Sequence, residues 1–369
     1  MVIDVHHHYA PPSLADRLRQ LQPRLRAFLS GPLVDGESRL AAMDKAGVDA
    51  AMLSIPHPGF LDAQPDRATY RGLISGANDE LIAFAQRHPD RFGVLIALPL
   101  AAPDDAVDEL TRVGGHELVR GIIAFATSGT GLPLDAPELA PVYQAIGRRP
   151  VLLHPAMDQL TRHEAFAGFG LSSLAAPVET SAAAARLMLS GMLDRVPDLT
   201  LIIPHLGGVL PYVIGRLADQ AGGAAERDIL SYLSNRCFVD SCSHHHPALM
   251  CAAETLSPDR ILLGSDYPAR GSLARAVADI GGSPLDAANR HAILGGNAER
   301  LGLVPLRPGW SGEEGSPSPS LAHLTAVRQP STVPCLGGHR LRSRGPVGIE
   351  VPVPGSGGQP FGYHNSLSV

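Results

Sequence analysis

The sequence predicts a (β/α)8 barrel of about 300 residues followed by a tail of different character, and three observations carry that expectation. Eight short apolar runs alternate with longer stretches of helical periodicity, the pattern of a parallel sheet wrapped by helices. Apolar residues make up 44% of the 369-residue chain, ample for a sizeable core, and a single α/β barrel of roughly 250–300 residues is common. Five of the histidines and aspartates that end these runs would stand at the C-terminal ends of strands, where a barrel of this kind keeps its chemistry.

The eight strands are expected at residues 2–6, 50–55, 92–97, 119–124, 150–154, 199–205, 237–241 and 260–265. Helices are expected at 37–47, 67–88, 103–113, 137–148, 178–195, 209–221, 247–256 and 273–280. Pro103, Pro137 and Pro247 stand at predicted helix starts, where the missing N–H costs least. The character changes after Gly296-Asn297-Ala298-Glu299-Arg300-Leu301. The barrel is therefore assigned to 1–304 and a Pro/Gly/Ser-rich tail to 305–369. The tail contains Gly315-Ser316-Pro317-Ser318-Pro319-Ser320 and the only tryptophan, Trp310. A segment of that composition buries too little apolar surface to offset its chain entropy, and disorder is expected there.

Composition excludes several classes. A formal charge of −6 offers no basic field for nucleic acid or an anionic membrane. No run approaches the length of a membrane helix, and the N-terminus lacks a signal-peptide pattern. Cys237, Cys242, Cys251 and Cys335 show no CxxC pairing and read as reduced thiols of a cytoplasmic protein.

The chemistry-bearing residues follow one pattern. His6 and His8, two apart in Ile3-Asp4-Val5-His6-His7-His8, project to one side of a strand, with His7 on the other. His154 follows Val151-Leu152-Leu153, His205 follows Leu201-Ile202-Ile203-Pro204, and Asp266 stands in Gly264-Ser265-Asp266-Tyr267-Pro268. One histidine after a strand is usually a satisfied polar residue. Five metal-competent side chains at four strand ends instead suggest a divalent ion held by imidazole and carboxylate with an open position. A two-metal centre needs a bridging anion, often a carboxylated lysine. The only lysine, Lys45, falls in a predicted helix, so one metal is expected.

The set HxH, LLHP, PHLGG, GSDYP and GGNAERL resembles the amidohydrolase-related family that includes muconate-semialdehyde and salicylate-type decarboxylases, over residues 2 to about 303. The resemblance implies a TIM barrel of the metal-dependent hydrolase type. It implies that His6, His8, His154 and Asp266 are metal ligands, and that His205 handles a proton beside the metal. It matches Arg216 to an arginine that reaches a neighbouring subunit's substrate, hence a homodimer; a helix-surface ion pair is the plain alternative. The stretch between Gln22 and Glu37 is short for the muconate branch. Leu53-Ser54-Ile55-Pro56-His57-Pro58-Gly59, Arg91-Phe92-Gly93 and Leu98-Pro99-Leu100 are closer to the salicylate branch.

The expected function is therefore non-oxidative decarboxylation of a small aromatic or dienic carboxylate, with one zinc, or manganese, and with His205 and Asp266 in proton transfer. The same residues suit hydrolysis of a lactone or amide, and a non-catalytic metal-binding barrel is the third reading. His57, at the end of the second strand, is a candidate substrate contact. Asp240 could orient His205 or a water, and the His244-His245-His246 run reads as a loop.

Overall fold

A computed structural model describes residues 1–306 apart from 57–65, 128–131, 158–159, 161–162, 222, 224 and 270. Eight parallel strands follow one another in chain order: β1 Ile3–His8, β2 Ala50–Ser54, β3 Phe92–Ala97, β4 Val119–Phe125, β5 Val151–His154, β6 Leu201–Ile203, β7 Cys237–Asp240 and β8 Ile261–Leu262. β1 to β3 and β5 to β8 are buried along their whole length, as expected of parallel strands covered on both faces. The sheet closes between its first and last strands through the segment after β8. Val5 N–H donates to Leu263 O (2.9 Å), Asp266 N–H to His6 O (2.9 Å) and His8 N–H to Tyr267 O (2.7 Å).

The main helices are α1 Pro12–Leu21, α2 Ser38–Ala46, α3 Arg67–Arg87, α4 Pro103–Val113, α5 Ala140–Ile146, α6 Ser172–Leu189, α7 Leu210–Gln220, α8 Ile229–Arg236, α9 His246–Leu256 and α10 Leu273–Gly281. Local chemistry sets their ends. Asp66 accepts from the Thr69 amide at the start of α3 (2.9 Å), a side-chain N-cap. Gly47, at φ 69°, ends α2 in the left-handed conformation that glycine adopts without steric cost. Pro103 opens α4 with Asp104 and Asp105 in the first turn, which suits the helix dipole.

The strand and helix pattern agrees with the sequence in order and type, and the boundary differences that matter most fall at four elements. β1 runs to His8 rather than stopping at His6, because its ladder with β2 continues through His7↔Leu53 and His8↔Ser54. β6 stops at Ile203 instead of reaching His205: Pro204 has no amide to extend the ladder, and His205 and Leu206 follow at φ 58° and 56°. β8 is two residues long, since Arg260 lies in a 3-10 turn and the chain beyond Leu262 pairs with β1 instead of β7. The helix expected at 178–195 begins earlier, at Ser172, keeps Pro177 in its interior and ends before Gly191, at φ 74°. Helices α1 and α8 carry no counterpart in the expectation, and a further helical stretch, Ala287–His291, precedes the Gly295-Gly296 run. No helix among the described residues is long and apolar enough to cross a membrane.

Candidate metal centre

Strand alternation puts His6 and His8 on one face of β1 and His7 on the other. The Nε2 atoms of His6 and His8 are 3.0 Å apart and those of His8 and His154 3.1 Å. Asp266 Oδ1 lies 3.3 Å from His8 Nε2 and 3.6 Å from His6 Nε2. All four side chains are buried, and their donor atoms fall within 4.8 Å of one another.

The outer nitrogens decide the tautomers. His6 Nδ1–H donates to Asp240 Oδ2 at 2.6 Å, His8 Nδ1–H to Ser54 Oγ at 3.2 Å and His154 Nδ1–H to the Pro155 carbonyl at 2.9 Å. With Nδ1 protonated in each ring, every Nε2 turns a lone pair inward. Three lone pairs facing each other at about 3 Å repel unless a cation sits among them. Asp266 Oδ1, buried beside them, has no hydrogen-bond partner. Bonds of about 2.1 Å to a central ion put neighbouring ligand atoms roughly 3.0–3.4 Å apart, so these residues fit one divalent ion. Lys45 is exposed on α2, away from any bridging position.

His205 comes to the centre from the left-handed turn after β6, not from the strand itself. Its amide donates to Asp240 Oδ1 at 2.7 Å, its ring centroid lies 5.7 Å from that of His6, and its buried Nδ1 has no partner. The turn requires Gly208, at φ 65°, because a Cβ there would lie 2.5 Å from the Pro177 carbonyl oxygen. Asp240 thus holds His6 with one oxygen and the backbone of His205 and Cys242 (3.0 Å) with the other.

Asp4 is a second organiser that sequence reasoning passed over. Fully buried, it accepts from Ser265 N–H (2.9 Å), Ser265 Oγ–H (2.6 Å), His7 Nδ1–H (3.0 Å) and His6 N–H (3.2 Å). These bonds pin the HxH strand to the turn that presents Asp266. His7 packs on the Tyr267 ring, centroids 5.1 Å apart. The only sequence signal for Asp4 is a carboxylate inside an apolar strand.

Electrostatics separates the imidazoles. Burial alone would depress His6, but the hydrogen bond and charge of Asp240, with Asp266 and Asp4, raise it to about 9. Burial pushes His7 down to about 4. His8 and His205 are lowered by burial, and His154 well below the usual range by burial and then by the neighbouring histidines. Burial disfavours ionised Asp266, yet the close approach of His8, with His6 and His205 beside it, holds its carboxyl below the ordinary value. His8 and His154 are thereby neutral donors and Asp266 a carboxylate, while a metal ion has to displace the proton that Asp240 favours on His6, since ligation takes the neutral imidazole.

The remaining candidates lie elsewhere. Arg216 is exposed on α7 with no ion pair or hydrogen bond among the described residues, so the helix-surface ion pair does not form. His57 lies outside the described residues. His244 Nδ1–H donates to Asp279 Oδ2 (2.8 Å) and His246 Nε2–H to the Asp279 carbonyl (2.9 Å), which ties that loop to α10.

Fold and centre together define an α/β barrel with a buried three-histidine, one-aspartate cluster at the C-terminal ends of its strands. The chain belongs to the amidohydrolase family, whose model matches residues 3–301. It is 31% identical over 255 residues to a gamma-resorcylate decarboxylase of Rhizobium sp. (strain MTP-10005), covering 63% of this chain and 76% of the relative. Its fold matches a crystal structure of 2,6-dihydroxybenzoate decarboxylase complexed with 2,6-dihydroxybenzoate (TM-score 0.72, 27% identity, 81% of this chain and 98% of that one). It also matches a dihydroxybenzoic acid decarboxylase from Polaromonas sp. JS666 with bound manganese and the inhibitor 2-nitroresorcinol (TM-score 0.70, 25% identity, 81% and 96%).

Proposed function

We propose that this chain is a metal-dependent, non-oxidative decarboxylase of a small aromatic carboxylic acid, with a dienic acid as the wider class. The observation that carries the reading is the inward convergence of three imidazole Nε2 atoms and one unpartnered carboxylate oxygen, with His205 beside them. The hydroxybenzoate decarboxylases among its relatives supply the substrate class.

His6, His8, His154 and Asp266 would hold one divalent ion; three imidazoles and a carboxylate suit zinc, and the manganese in the Polaromonas structure makes that ion the alternative. When bound, such an ion supplies a Lewis acid that polarises a substrate oxygen. The chain's own task is the proton. Decarboxylation replaces the carboxyl group on carbon with one hydrogen, so one proton enters as CO2 leaves. His205, unpaired at Nδ1 and kept neutral by burial, and Asp266 handle that proton. Arg216 and His57 are kept as candidate substrate contacts.

The wider organisation belongs to the same proposal. The barrel ends near residue 304, with a separate tail from 305. The protein works in the cytoplasm, a reading supported by the free thiols of Cys237, Cys242 and Cys251. It forms a homodimer, supported by the exposed Phe169, Leu174 and Tyr212, the last 88% exposed and one turn before Arg216 on α7.

The test is mass spectrometry of products after metal-loaded protein meets hydroxybenzoates, dienic acids, lactones and amides. A product lighter by CO2, lost on chelation and restored by zinc or manganese, is the expected result. A product heavier by water moves the protein to the hydrolases on the same residues.

A further inference from the structure

A second group of metal-competent atoms shares Asp266 with the first. A ring nitrogen of His205, Cys242 Sγ and an Asp266 carboxylate oxygen lie within 4.8 Å of one another. Cys242 is buried at 7% exposure, and its thiol has no hydrogen-bond partner among the described residues. His205 Nδ1 and Asp266 Oδ1 have no hydrogen-bond partner, and Asp266 is only 5% exposed. The loop is held in place, since the Cys242 amide donates to Asp240 Oδ1 at 3.0 Å. Neither strand pairing nor packing uses these three polar groups.

We propose that His205, Cys242 and Asp266 form a second subsite that takes a soft divalent cation, zinc or cadmium, next to the ion held by His6, His8, His154 and Asp266. Softness selects the occupant: a thiolate with one imidazole and one carboxylate favours zinc and cadmium over manganese or magnesium. Binding expels the thiol proton to solvent, and Asp266 then bridges two cations. An ion there also occupies a ring nitrogen of His205. On the decarboxylase reading, excess zinc therefore inhibits by removing the proton-handling imidazole; the binding itself does not depend on that reading.

The test uses the full chain loaded with one equivalent of manganese or zinc and titrated with cadmium. It is followed by the ultraviolet sulfur-to-cadmium charge-transfer band and by total bound metal. The wild type is expected to take up one further equivalent with the band. Cys242→Ser, or Cys242→Ala should the serine variant fold poorly, is expected to lose both. His205→Ala is expected to weaken uptake roughly tenfold or more. His154→Ala, which strips the first centre, is expected to keep the band. Three results would overturn the proposal: no band in the wild type, a band that survives without Cys242, or a band lost in His154→Ala. The last would make Cys242 a ligand of one shared ion. None of these readings involves turnover, so failure of the decarboxylase assay and failure of the subsite are told apart.

Discussion

At the scale of single residues, the centre is ordered by what stands behind the ligands. An acceptor on each Nδ1 fixes which nitrogen of His6, His8 and His154 faces inward. Asp240 is the strongest of these acceptors, being buried, ionised and 2.6 Å from His6 Nδ1. Asp240→Asn is expected to lower metal affinity and kcat/KM by about 10–100-fold while the barrel stays folded. Competition with a chelator and steady-state kinetics measure the two losses, and wild-type affinity in the variant would show that Asp240 has no hold on the centre. The ligands were legible in the sequence because each follows a recognisable apolar run. Their supports were less so. Ser54 and Ser265 carry no local signal, and Asp4 only that of a carboxylate inside an apolar strand, since a hydrogen bond between segments 46 or 261 residues apart leaves no mark on spacing.

Among the elements, the decisive departure lies after β6. Alternation along an unbroken strand would place His205 at its end, yet Pro204 stops the ladder and a left-handed pair of residues carries the ring to the centre. Such backbone is uncommon outside glycine and is held here by the Asp240 acceptor and the close approach at Gly208. Elsewhere a buried carboxylate joins helices to the sheet. Glu109 on α4 accepts from Ser75 Oγ–H (2.7 Å) and Asn78 Nδ2–H (2.7 Å) on α3 and from Arg112 (2.8 and 2.9 Å). Asn78 in turn bonds both the amide and the carbonyl of Ala97 at the end of β3. Burial alone would raise the Glu109 carboxyl, but the bonds from Arg112, Asn78 and Ser75 outweigh it and the pKa is lowered. A carboxylate depressed in the folded state stabilises above its unfolded pKa and loses that contribution as pH falls through the folded value. Glu109→Gln is thus expected to cost about 1–3 kcal/mol at neutral pH. The difference from wild type should shrink below roughly pH 4. Urea denaturation across pH checks it, and a constant difference would rule out an ionic origin.

For the whole molecule, closure of the barrel and assembly of the centre are one event. The bonds that seal β1 to the segment after β8 run through His6, His8 and Asp266 themselves, so the ring cannot open there without parting the ligands. Assembly between chains is the next level. If Arg216 serves a neighbour's centre, Arg216→Ala mixed in equal amount with Asp266→Asn restores one intact site in each mixed dimer, about a quarter of wild-type activity for random exchange. Activity of the mixture after confirmed subunit exchange is the measurement. No recovery would confine Arg216 to its own subunit's surface.

The sequence by itself determined the eight-strand alternation, the HxH pair, His154 as a strand-end residue and Asp266 as a residue following an apolar run, because side-chain period and apolar runs are local properties of a chain. Only the tertiary structure decided that three Nε2 atoms face one another, that Asp240 and Asp4 hold them so, and that His205 arrives from a turn. It also brought Cys242 beside Asp266. The physical reason is that these relations join strands far apart in the chain, and the closing of the barrel is what sets the distances between them.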